Sequence, residues 1–145
     1  MYENILIPTD GSESASKAVA EAIRLADVFD ATLHTIYVVD LGEIGIETYE
    51  GAVLNNLEEV GENAVAKVLE QAADAGVEVN SEVVTGGHPY RGILDYVDDH
   101  DIDLIVMGTH GRRGLNRYLL GSVTERVVRS ATVPVLTIRD GNNAT

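Results

Sequence analysis

The sequence predicts an α/β fold: a single open five-stranded parallel sheet, strand order 3-2-1-4-5, with helices on both faces. Three observations carry the prediction. Short apolar runs alternate with segments of helical periodicity along the whole chain, the pattern of strands joined by crossover helices. Two runs, Ile5-Leu6-Ile7 and Leu104-Ile105-Val106-Met107, are unbroken, as expected of central strands covered on both faces. Two other runs carry edge marks. Val77, Val79 and Val83 alternate with Glu78, Asn80 and Glu82, and the final run contains Pro134, which has no N–H to give to a ladder. A chain of 145 residues with 45% apolar side chains suits one domain with a real core. The expected domain is 1–145, structured over 1–139 with a frayed tail at 140–145.

Strand 1 is expected over Asn4 to Thr9. The following helix shows Ala15, Ala18, Val19, Ala22, Ile23 and Ala26 on one face at helical spacing. Strand 2 runs from about Thr32 to Val39. The loop from Leu41 to Gly51 has no pattern that assigns it. A long second helix carries Val53, Leu57, Val60, Ala64, Val68 and Ala72 and stops at Gly76, a C-cap glycine. Strand 3 covers about Val77 to Val84. Gly86, Gly87 and Pro89 turn the chain into a third helix faced by Tyr90, Ile93, Leu94 and Val97. Strand 4 is Leu104 to Met107, the fourth helix begins near Ser122, and strand 5 is Val133 to Ile138.

Right-handed crossovers then give the order 3-2-1-4-5. The winding reverses between strands 1 and 4. In such open, Rossmann-like sheets the ligand crevice lies outside the carboxyl ends of the strands at that reversal. The turns after strand 1 and after strand 4 are therefore the candidate site.

The composition narrows the function classes. The formal charge is −14, from 24 acidic and 10 basic side chains. Such a surface repels nucleic acid and anionic membranes, and it suits concentrated salt, where self-repulsion is screened. Residues 1–107 hold 22 acidic and 4 basic side chains, whereas residues 108–145 hold 2 and 6; an anion would be drawn to the second stretch. Cysteine is absent, which excludes disulfides and thiol chemistry. No apolar run is long enough to span a membrane. Met1-Tyr2-Glu3-Asn4 does not begin a secretory signal, so a cytoplasmic location is expected.

After strand 4 the chain reads Gly108-Thr109-His110-Gly111, then nine residues, then Gly121-Ser122-Val123-Thr124. Glycines let backbone N–H groups approach an anion closely. A helix starting at Ser122 presents free N–H groups and the positive end of its dipole. The Ser122 and Thr124 hydroxyls are further donors. Together these form a polyphosphate cradle, although the P-loop pattern and its lysine are absent. Ser122 with Glu125 also has capping-box spacing. After strand 1, Pro8-Thr9-Asp10-Gly11-Ser12 places Asp10 at the crevice. There it can hold Mg²⁺ or a ribose hydroxyl; with Glu13 it also has the spacing of a helix cap. His34 reads as a satisfied sheet residue and His88 and His100 as loop histidines. No recognised metal-ligand spacing or nucleophile signature appears.

These residues resemble the universal stress protein family. Gly108-x2-Gly111-x9-Gly121-Ser122 is similar to the nucleotide-binding motif of its ATP-binding members. Ile5-Leu6-Ile7-Pro8-Thr9-Asp10-Gly11-Ser12 resembles the first strand and turn, Gly87-His88-Pro89 the turn after strand 3, and Val133 to Ile138 the last strand. The resemblance implies the same sheet order and an ATP site, with or without Mg²⁺. At that site Pro8 and Thr9 lie by the nucleotide, Asp10 lies near the ribose or metal, and Val38 contacts adenine. Gly108, His110, Gly111, Arg112, Arg113, Gly114, Gly121, Ser122, Val123 and Thr124 surround the phosphates, and Met107 is a further nucleotide-binding position. It also implies a homodimer formed by antiparallel pairing of the last strands.

The leading expectation is a dimeric, nucleotide-responsive stress protein with absent or slow ATP hydrolysis. An ATPase or phosphotransferase needs a positioned base beside a charge clamp; Arg112 and Arg113 suit the clamp, but no base is evident. A nucleotide-free interaction module of the same family is the third option, against which the glycine spacing speaks. A phosphorylated receiver domain would want an aspartate where Val83-Val84-Thr85 stand and is rejected.

Overall fold

The computed structural model describes residues 1–40, 51–85, 87–109 and 120–139. Its elements run β1 (Asn4–Pro8), α1 (Glu13–Phe29), β2 (Thr32–Val39), α2 (Gly51–Asp74), β3 (Val79–Thr85), α3 (Pro89–Asp99), β4 (Leu104–Gly108), α4 (Ser122–Ser130) and β5 (Val135–Ile138). The five strands form one sheet of order β3-β2-β1-β4-β5, every pair parallel. The expected fold class, order and edge strands are therefore those observed.

Alternation along the strands sorts the core into two layers. Ile5 and Ile7 of β1, Leu33 of β2 and Val106 of β4 pack with Ala18, Val19, Ala22 and Ile23 of α1. Tyr37 and Val39 of β2 continue that layer against Ala64 and Val65 of α2. On the opposite face, Leu6, Ile36, Ile105 and Met107 pack with Ile93, Tyr96 and Val97 of α3 and Val127 of α4. Ile5, Leu6 and Ile7 are all fully buried, which is why β1 reads as a continuous apolar run rather than an alternating one. Burial of each contributes about 1.5–3 kcal/mol relative to exposure.

Helix ends follow local chemistry. The hydroxyl of Ser12 caps α1, accepting from the Ala15 N–H at 3.3 Å. Beyond α2, Gly76 takes φ +73° and the Val77 N–H returns to the Ala72 carbonyl at 3.0 Å, the left-handed stop that only glycine adopts cheaply.

Several boundaries differ from expectation. β3 starts at Val79 rather than Val77, because the Val77 N–H closes the helix end. β5 starts at Val135 rather than Val133: Pro134 contributes only its carbonyl, accepting from Ile105 at 3.0 Å. β1 and β4 end at Pro8 and Gly108, one residue from the expected ends. Val60, one of the apolar positions spaced along α2, is 41% exposed. The sheet-facing position is Gly61, where a Cβ would lie 2.8 Å from Cδ1 of Tyr37. The loop 41–50 and the tail 140–145 fall outside the described residues.

Candidate functional site

The site is built where β1 and β4 lie side by side, in register at Ile5 with Leu104 and Leu6 with Ile105. The chain leaves β1 toward α1 on one face of the sheet and leaves β4 toward α4 on the other. In an open sheet of this order a ligand crevice forms at the carboxyl ends of these two strands.

The first turn is held by its own side chains. The Thr9 N–H donates to the Ile36 carbonyl at 2.9 Å, which ties the turn to β2. The Thr9 hydroxyl accepts from the Gly11 N–H at 3.1 Å, and Oδ1 of Asp10 accepts from the Ser12 N–H at 2.9 Å. Gly11 takes φ +80°. Asp10 is thus an Asx-turn residue, and the helix cap is Ser12. A carboxylate fixed through one oxygen in this way is oriented before any ligand arrives, which is what a metal or hydroxyl ligand needs.

The second turn is anchored by Thr109 and Thr124. Thr109 is buried; its N–H donates to the Ile138 carbonyl at 3.0 Å and its carbonyl accepts from the Gly121 N–H at 2.7 Å. The Thr124 hydroxyl, also buried, donates to the Gly108 carbonyl at 2.9 Å. Its single proton is therefore used inside the turn, and the expected hydroxyl donor to phosphate is not Thr124. What Thr124 offers outward is its place in the first turn of α4.

Gly121, not Ser122, is the N-cap of α4. Its backbone is extended (φ −62°, ψ 156°) and no side chain caps the helix. The capping box expected of Ser122 and Glu125 is not formed: the Glu125 carboxylate pairs with Arg129 one turn later. This was readable in part, since glycine is itself a good N-cap. Ser122 is exposed at the first helical position. An uncapped helix N-terminus with the positive end of a dipole faces the end of β4, and its donor set fits a phosphate group.

Val38 and Met107 stand near the carboxyl ends of β2 and β4, Val38 half-buried and Met107 buried. Pro8 closes β1, in register with Ile36. The topology thus gathers Pro8, Thr9, Asp10, Val38, Met107, Gly108, Gly121, Ser122, Val123 and Thr124 at one edge of the sheet. His110, Gly111, Arg112, Arg113 and Gly114 lie outside the described residues.

The histidines have structural positions. Buried His34 places Nδ1 2.9 Å from the Tyr96 hydroxyl and Nε2 3.1 Å from Oδ1 of Asn4. With Asn4 accepting, Nε2 carries the proton and Nδ1 accepts from tyrosine. Burial, and then the nearby His100, hold the His34 pKa below the ordinary imidazole range. Burial, with Glu82 adding to it, raises that of Tyr96. His100 stacks on Tyr96 at 3.7 Å between centroids, and His88 is the N-cap residue of α3. Among the described residues no group of three or more His, Asp or Glu could hold a metal, so Asp10 would hold Mg²⁺ only together with ligand oxygens. No helix of the described residues is long and apolar enough to cross a membrane.

Comparison with known proteins agrees with this architecture. The sequence model of the universal stress protein family matches residues 1–139. Universal stress protein MJ0531 of Methanocaldococcus jannaschii is 41% identical over 142 residues, covering 96% of this chain and 83% of that protein. The solved structure of the hypothetical protein MJ0577, from the same organism, superposes with a TM-score of 0.85 at 34% identity, covering 96% of each chain. A universal stress protein solved in complex with cAMP superposes with a TM-score of 0.74 at 25% identity, covering 94% of this chain and 97% of that one.

Proposed function

The chain belongs to the universal stress protein family, and we propose that it is an ATP-binding member whose state depends on the bound nucleotide. The observation that carries this reading is the N-terminus of α4. It begins at a glycine with no side-chain cap, whose N–H is bonded to Thr109 at the end of β4, at the reversal of the sheet where the turn after β1 holds a pre-oriented aspartate. The cAMP complex of a similar protein supports an adenine nucleotide as the ligand class.

In this reading the backbone N–H groups at the start of α4, with the Ser122 hydroxyl, hold phosphate oxygens. Asp10 takes a ribose hydroxyl or the Mg²⁺ that accompanies ATP. Pro8, Thr9, Val38 and Met107 enclose the nucleoside. The segment Gly108 to Gly114, with Arg112 and Arg113, supplies further glycine N–H groups and positive charge. A bound Mg²⁺ would neutralise phosphate charge. This matters because Glu125 puts a carboxylate in the same helical turn, although Arg129 offsets it. Hydrolysis is expected to be absent or slow, because the described part of the site presents no positioned general base beside the phosphate end.

The test is calorimetric titration of ATP with Mg²⁺ into nucleotide-stripped protein, followed by an assay for ADP release. Saturable binding at one site per chain, with turnover far below the median enzyme rate of about 10 s⁻¹, is expected. Folded protein that does not bind would overturn the reading; turnover at ordinary enzyme rates would overturn its regulatory part.

A further inference from the structure

Helix α3 approaches β2 more closely at one residue than an ordinary helix can. A Cβ on Gly92 would lie 2.9 Å from Cγ2 and 3.0 Å from Cγ1 of Val38, well inside the roughly 3.5–4.0 Å at which carbon atoms pack. Gly92 is interior to α3 and is not among the residues of positive φ, so no backbone conformation demands glycine. Glycine there costs the helix about 1 kcal/mol relative to alanine. What the glycine provides is space: the bare backbone of α3 rests directly on the valine side chain.

Val38 is the next-to-last residue of β2, half-buried, in register with Val84 of β3. A β-branched side chain has little rotamer freedom, and a helix backbone pressed on both its methyl groups removes most of what is left. Val38 is also the residue placed against the nucleotide base under the proposed function.

We propose that Gly92 is a positioning residue for the nucleotide site. By admitting the backbone of α3 against Val38, it fixes the apolar wall on which the base rests and so sets the width of the base slot. This rests on the nucleotide-binding reading. A larger residue at position 92 must push Val38 toward the crevice or lift α3 from β2, and in either case the wall moves. Sequence inspection passes over Gly92, because an isolated glycine inside a helical pattern looks only like a propensity cost.

The experiment is a double-mutant cycle read by ATP titration on wild type, Gly92→Ala, Val38→Ala and the double variant, with thermal melts establishing that each is folded. Gly92→Ala should weaken ATP binding about tenfold beside the native valine. Beside Val38→Ala, where the added methyl has room, it should change affinity by less than about twofold. An equal effect in both backgrounds, or none in either, overturns the proposal. Val38→Ile enlarges the same contact from the strand side and gives an independent test should Gly92→Ala not fold: weakened binding is expected, and unchanged affinity counts against the inference. Wild-type protein that fails to bind ATP would instead defeat the nucleotide reading itself. Binding by wild type without coupling between the two positions would defeat only the role of Gly92.

Discussion

Single side chains do two kinds of work in this protein, and the structure separates them. Ser12 and Thr124 serve the fold at the margin of the site. Removing the cap by Ser12→Ala should cost about 1 kcal/mol of stability, measurable by urea unfolding, with unchanged stability contradicting the assignment. His34 ties β1, β2 and α3 together through Asn4 and Tyr96. Its folded pKa lies below the unfolded value of about 6.5, so as pH falls below that value the unfolded chain takes up a proton that the folded chain refuses. The His34 contribution to stability is therefore complete above pH 6.5. It declines as pH falls from there toward the folded pKa. Melting temperatures should fall across that acidic window in wild type and fall less steeply in His34→Gln. Parallel curves would show that the proton is taken up elsewhere. That His34 is a satisfied sheet residue was readable from its place in an apolar strand. Its partners were not, because Asn4 and Tyr96 lie 30 and 62 residues away in sequence.

At the scale of elements, all five strands, their order and the α1 core face were legible, because periodicity and apolar run length record burial directly. Ends were less legible, because they depend on individual hydrogen bonds: Val77 is used by the end of α2, and Pro134 lacks an N–H. The cap of α4 was misplaced by one residue, since Ser122 and Gly121 are both acceptable caps and Glu125 had two possible partners within reach. The edge strand β5 carries the next prediction. Pro134 and Ile138 direct their carbonyls to β4, so by alternation the backbone groups of Val135 and Thr137 face the open edge, beside Leu136, which is 37% exposed. An open edge of this kind invites pairing, and antiparallel pairing with a second copy is proposed. Wild type should show a dimeric mass by light scattering across micromolar concentrations, and Thr137→Pro, which deletes an outward N–H, should be a folded monomer. A monomeric wild type, or a dimer indifferent to this substitution, would contradict the pairing.

The whole molecule is governed by its charge of −14. Among the described residues Arg24 pairs with Glu21 and Arg129 with Glu125, each within one helix; exposed pairs of this sort add little to stability. Long-range repulsion among the remaining carboxylates opposes the compact state, and salt screens it over about 10 Å at 0.1 M. The melting temperature should therefore rise as KCl is increased from about 0.1 M to the molar range, as proposed for a salt-adapted chain. A flat or falling curve would remove that proposal. The same charge distribution makes the basic stretch beyond residue 108, with the N-terminus of α4, the place where an anion meets least repulsion.

The central claim is that this helix terminus holds the phosphates, and comparing ATP with adenosine on the same protein tests it most directly. Calorimetric titrations in molar KCl should show adenosine binding at least about tenfold more weakly than ATP, a loss of some 1.4 kcal/mol or more with the phosphate contacts. Equal affinity for the two would mean that the site recognises the nucleoside alone and that the start of α4 is only a turn.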